Sequence, residues 1–115
     1  MRWTALLFLV LGASALVFAA SHLPLSGTYR IGGATFYDPP ADEPQDTHIY
    51  FQLTGAPARD LYNIMKVKPV SDPCTPQAQT KVIDGMRCER SNRDEYRCWF
   101  GVDVERQRIV NGVVC

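Results

Sequence analysis

Residues 88–115 read CERSNRDEYRCWFGVDVERQRIVNGVVC and hold three of the chain's four cysteines. Tyr96, Cys98, Phe100, Val102 and Val104 alternate with Arg97, Trp99, Gly101 and Asp103, the two-residue period of a strand with one apolar face. Ile109 to Cys115 reads as the next strand, joined through the polar loop Glu105-Arg106-Gln107-Arg108. If Val104 opposes Ile109, then Cys98 and Cys115 stand nearly opposite on one face, and a disulfide there would pin the terminal strand into the sheet. Cys74 is then left for Cys88, closing a loop of about 15 residues worth about 3 kcal/mol on the chain-entropy model. A rival pairing joins Cys88 to Cys98 across a hairpin at Ser91-Asn92-Arg93-Asp94 and leaves Cys74 with Cys115. It ranks second, because directly opposed strand cysteines make a strained bridge. Spacings of 14, 10 and 17 residues contain neither a close zinc-binding pair nor a C-x-x-C dithiol. The cysteines read as two structural disulfides.

Disulfides imply an oxidising destination, and the other end of the chain agrees. In MRWTALLFLVLGASALVFAA a short positive start at Arg2 precedes an uncharged apolar run from Ala5 to Ala20. Val17-Phe18-Ala19 offers permissive residues for signal peptidase, so residues 1–19 read as a signal peptide with cleavage after Ala19 and, as second choice, after Ala20. The run is short for a bilayer core, which takes roughly 20 apolar residues, so membrane contact is expected only in passing. Residues 20–115 form one domain, periplasmic or secreted, too small to rest on its core alone.

The whole chain carries 12 basic and 12 acidic groups. Around Arg87, Glu89, Arg90, Arg93, Asp94, Glu95 and Arg97 the signs alternate, which describes a solvated surface and not a basic groove. Nucleic acid is excluded as a partner on that ground.

Along the mature chain, Thr28 to Ile31 and Ala34 to Tyr37 read as one strand interrupted by Gly32-Gly33. Residues 38–46, DPPADEPQD, form an exposed loop rich in proline and acid. Thr47 to Leu53 alternates cleanly, with Ile49, Phe51 and Leu53 on one face. Thr54 can cap a helix over residues 55–66, whose stripe is Ala58, Leu61, Ile64 and Met65. Residues 67–76, with prolines at 69, 73 and 76, read as a linker, and Lys81 begins a three-stranded meander. The expected architecture is an α+β domain, an antiparallel sheet of four to five strands with one helix on a face; a small β-barrel is the alternative.

Chemistry is sparse. His22 lies in the leader, and His48 falls on the polar side of a strand with no cysteine or histidine nearby. No G-x-S-x-G turn or glycine-rich phosphate cradle occurs. Carboxylates such as Glu89 and Asp103 could serve a glycan hydrolase, but their arginine neighbours favour plain ion pairs. No catalytic residue, metal or cofactor is assigned.

Binding is better motivated. Trp99, Arg97 and Asp103 share the face opposite Cys98, Tyr50 stands in a similar row, and Asp42 and Glu43 project from the acidic loop. The expected function is a non-catalytic protein-binding domain, an inhibitor or immunity-type partner of another envelope or extracellular protein. An accessory subunit of an envelope assembly is the alternative.

Overall fold

The computed structural model describes residue 12 and residues 21–113. The expected signal peptide, apart from residue 12, and Cys115 therefore lie outside the described residues. Seven strands and one helix follow in the order β1 Gly27–Gly32, β2 His48–Thr54, α1 Gly55–Ile64, β3 Val70–Asp72, β4 Thr75–Ile83, β5 Met86–Arg90, β6 Tyr96–Asp103 and β7 Arg108–Val110. They form one antiparallel open sheet in the order β1-β2-β6-β5-β4-β3, with β7 pairing the far half of β6. The sheet does not close, so the barrel alternative falls, and seven strands replace the four to five expected. No helix among the described residues is long and apolar enough to cross a membrane.

The extra strands come from residues 67–76, read from sequence as a linker, which hold β3 and the start of β4, and from the stretch beginning at Lys81, which is divided between β4 and β5. Pro69 and Pro73 flank β3 without entering it, and Pro76 sits within β4. Proline is tolerated at a sheet edge where no ladder donor is needed. The register between β3 and β4 also shifts between Val70 and Asp72. A short, bulged, proline-flanked strand is a common way to end a sheet.

The β5–β6 hairpin sets the centre of the fold. Ser91 Oγ accepts from the backbone N–H of Arg93 at 3.2 Å and of Glu95 at 3.1 Å, while Ser91 N–H donates to the Glu95 carbonyl at 2.8 Å. Asp94 takes the left-handed conformation at φ 57°, which aspartate tolerates better than most residues. That turn fixes Arg90 opposite Tyr96, and counting inward puts Cys88 opposite Cys98. Their Cα atoms stand 4.0 Å apart and the two form a disulfide, the one complete bridge among the described residues. The expected pairings 74–88 and 98–115 are thereby both corrected. Cys74 is not a free thiol.

The register of β7 explains part of the error. Val102, not Val104, opposes Ile109, because the turn after Asp103 is closed by the Asp103 carboxylate accepting the Arg106 N–H at 3.1 Å. Gln107 completes the turn at φ 53°. The ladder positions opposite Cys98 are taken by Leu53 and Cys88.

Leu53, Cys98, Cys88 and Lys81 lie side by side across β2, β6, β5 and β4. The helix packs over this row through Ala58, Tyr62 and Met65, all buried, with Leu61 partly so. Ile64, expected in the stripe, is 67% exposed, and Tyr62 takes the inward place. Thr54 stands at the cap position, but its side chain makes no capping bond. The other helix end is held from the sheet: Lys81 Nζ donates to the Tyr62 carbonyl at 3.0 Å and the Met65 carbonyl at 3.2 Å, above the Tyr62 ring. A cation there satisfies terminal carbonyls and complements the helix dipole.

Beyond the helix the same sheet face stays apolar. Ile31, Ile49, Val102 and Ile109 form one row across β1, β2, β6 and β7, and Tyr29, Phe51 and Phe100 form the next. The helix packs chiefly on β6, β5 and β2, with Lys81 of β4 at its end, so the β1 end of these rows lies to the side of its main cover.

Candidate functional site

The two ends of the sheet are built differently. At β3 the strand is short, irregular and flanked by proline. At β1 six residues, GTYRIG, run without proline or lysine and with one charge, Arg30. No described strand lies on its outer side. The Thr54 N–H donates to the Ser26 carbonyl at 3.1 Å, and residues 26 and 54 continue the β1–β2 register. Hydrogen-bonded pairs alternate in an antiparallel ladder, so Thr28 and Arg30 face β2, and the backbone N–H and C=O of Tyr29 and Ile31 face outward.

Both faces of this edge carry a groove. On the helix side Leu25, Tyr29, Phe51 and Leu53 line a hollow of about 230 Å3. Tyr29 is 69% and Ile31 55% exposed, large apolar side chains at an unpaired edge. On the opposite side Arg30, Tyr37, Tyr50, Gln52 and Trp99 border a hollow of about 240 Å3. There the Arg30 guanidinium lies 4.3 Å from the Phe36 ring centre and 4.6 Å from that of Tyr50. Its Nη2 donates to the Phe36 carbonyl at 3.4 Å. Gly32 leaves room for it, since a Cβ at that position would come within 2.9 Å of Nη1. Arg30 forms no ion pair among the described residues.

Farther along the same face lies a polar cluster that sequence reading placed at the surface. His48 is 7% exposed; its Nε2 is 3.6 Å from Asp103 Oδ2, and its Nδ1 is 2.8 Å from the Thr47 hydroxyl. Its ring stacks on Tyr50, whose hydroxyl donates to the Gly33 carbonyl at 2.6 Å. Burial holds the Tyr50 phenol above its ordinary pKa. The alternation of β2 identified the polar side of the strand correctly. It could not show that residues 33–36 fold back over it, which is what buries His48.

The sequence-derived binding residues are thus divided. Trp99 is half-buried in the aromatic groove beside Gln52, its cross-strand neighbour. Tyr50 and Asp103 are buried and serve the groove wall and the His48 cluster. Arg97 is exposed, away from Arg30, in a separate cleft with Arg59 and Asp94. Asp42 is exposed, whereas Glu43 turns inward to accept from the Thr35 hydroxyl at 2.7 Å and the Thr35 N–H at 3.2 Å. The Thr35 hydroxyl bond holds its carboxyl below the usual glutamate range. The loop at 38–46 is therefore tied back at Glu43 and is not wholly a solvated arm. Cys88 and Cys98 are core residues, fully buried.

Arg30, Phe36, Tyr29 and Ile31 were missed as site residues. Their one sequence signal is an apolar–polar alternation without proline or lysine, and only the topology places that strand at an edge.

For glycan hydrolysis the separation of carboxylates matters. Glu89 opposes Arg97, and Asp103 lies six residues farther along β6, roughly 20 Å at strand rise. Paired catalytic carboxylates need roughly 5–10 Å. Among the described residues no three histidine, cysteine or acidic groups converge in a way that could hold a metal. No family model matches the chain, and neither a curated protein nor a solved structure shows significant similarity to it.

Proposed function

We propose that the chain is an exported, non-catalytic binding domain that holds another protein of the envelope or extracellular space by adding one of its strands to β1. The observation that carries this reading is the contrast between the two sheet ends. One is blunted by length, bulge and proline, whereas the other presents outward amides and carbonyls beside large exposed apolar side chains. An unprotected edge is a template for another chain, and main-chain hydrogen bonds supply the affinity in such complexes. A buried disulfide in a small domain supports an oxidising destination. The wide spacing of Glu89 and Asp103 supports a role without hydrolysis.

Ile31→Pro tests it. The N–H removed at residue 31 faces outward, so the β1–β2 ladder keeps its bonds. Capture of a partner from envelope or culture extract is expected to fall more than about tenfold against the wild type, the effect of losing a hydrogen bond and an apolar contact together. Val70→Lys at the opposite edge is expected to capture normally. Equal capture by wild type and Ile31→Pro, with circular dichroism showing both folded, overturns the reading.

A further inference from the structure

We infer that the strand received by β1 carries an acidic residue facing Arg30, between two apolar residues facing Tyr29 and Ile31. This rests on the strand-addition reading and specifies its chemistry.

Successive side chains on a strand point to opposite faces, and cross-strand neighbours share a face. A strand laid against Tyr29-Arg30-Ile31 therefore sends alternate side chains to the two grooves. Those opposite Tyr29 and Ile31 meet the apolar rows and the hollow formed with Leu25, Phe51 and Leu53. The side chain opposite Arg30 meets the aromatic groove on the other face.

That groove is preorganised for an anion. A long arginine normally loses rotamer freedom when it binds. Here the guanidinium is already held between the Phe36 and Tyr50 rings, with room left by Gly32. One N–H bonds a backbone carbonyl, and no described carboxylate forms an ion pair with the guanidinium. A planar, aromatic-clamped guanidinium suits a carboxylate, which can accept two parallel N–H bonds from it.

A second copy of the chain does not meet this requirement. β1 contains no acidic residue. Two-fold antiparallel pairing about Tyr29 sets Arg30 against Thr28, and pairing about Arg30 sets it against its own copy. Opposite charge directly across a strand pair is favourable and like charge is not.

The probe is the peptide acetyl-Ser-Thr-Val-Glu-Val-Thr-Ser-amide, with central Gln and Lys versions, titrated to millimolar concentration into the full mature protein. Backbone amide NMR of residues 28–32 is the readout. The Glu peptide is expected to shift the Tyr29 and Ile31 amides and to bind about tenfold tighter than the Gln peptide, the size of a charge-assisted hydrogen bond. Arg30→Glu is expected to reverse the order in favour of the Lys peptide. Arg30→Gln, a milder change at the clamp, should abolish the preference without abolishing binding. Equal binding of all three peptides at β1 overturns the acidic specificity and leaves strand addition standing. Shifts of the β1 amides with protein concentration alone would make a second copy the occupant and overturn the inference. No shift at β1 with any peptide overturns both readings.

Discussion

Replacing Cys88 and Cys98 together by alanine is expected to lower the unfolding free energy by about 3 kcal/mol, the chain-entropy value for a closure of this length. The bridge spans a sequence separation of 10 residues and both sulphurs are fully buried in the cluster with Leu53, Ala58, Tyr62 and Met65. Domains of this size typically have about 5–15 kcal/mol in total, so the loss is a large share. Urea midpoints of wild type and double variant measure it directly. An unchanged midpoint would mean that the hairpin turn at Ser91 alone holds β5 on β6. Peptide mapping of the unreduced protein belongs to the same experiment, and a fragment joining 74 to 88 would contradict the register.

The second large effect separates what holds the fold from what it displays. Tyr62 is 5% exposed, meets the Tyr96 ring edge-on at 5.4 Å and lies beneath Lys81. Tyr62→Ala is expected to cost about 3–5 kcal/mol, the range for removing a large buried ring. Tyr29→Ala removes the same atoms from a residue 69% exposed at the sheet edge. Its cost in stability is expected to stay within about 0.5 kcal/mol, as for surface changes generally. Its cost in partner capture should instead be several-fold. Equal melting losses for the two variants would show that Tyr29 belongs to the core and is not displayed.

Much of this architecture was legible because local pattern and final environment agree. β2 and β6 alternate in sequence as they do across the sheet, and the helix begins where Gly55 follows Thr54. The readings failed where the deciding contact is distant in sequence. Prolines at 69, 73 and 76 look like a linker until the neighbour they decline to pair with is known. The turn after Asp103 is set by a side-chain bond to Arg106, and that moves the β7 register by two residues from the one drawn through Val104. Cysteine pairing follows the register, which is how Cys88 and Cys98 were each assigned the wrong partner. Two-fold periodicity likewise reports the polar side of β2 but not the loop that covers His48. The candidate edge was the least legible part. Nothing within GTYRIG says that it stands last in a sheet, and the Arg30 clamp needs Phe36 and Tyr50 brought together from either side of the 38–46 loop.

Hydrogen exchange at the Tyr29 and Ile31 amides, measured in the free protein and with saturating partner, tests strand addition most directly. The expected result is rapid exchange of both amides in the free protein and slowing by about tenfold or more in the complex, as outward N–H groups gain acceptors. Unchanged exchange at both positions, with the partner demonstrably bound, would place the contact elsewhere on the domain and contradict the proposed role of β1.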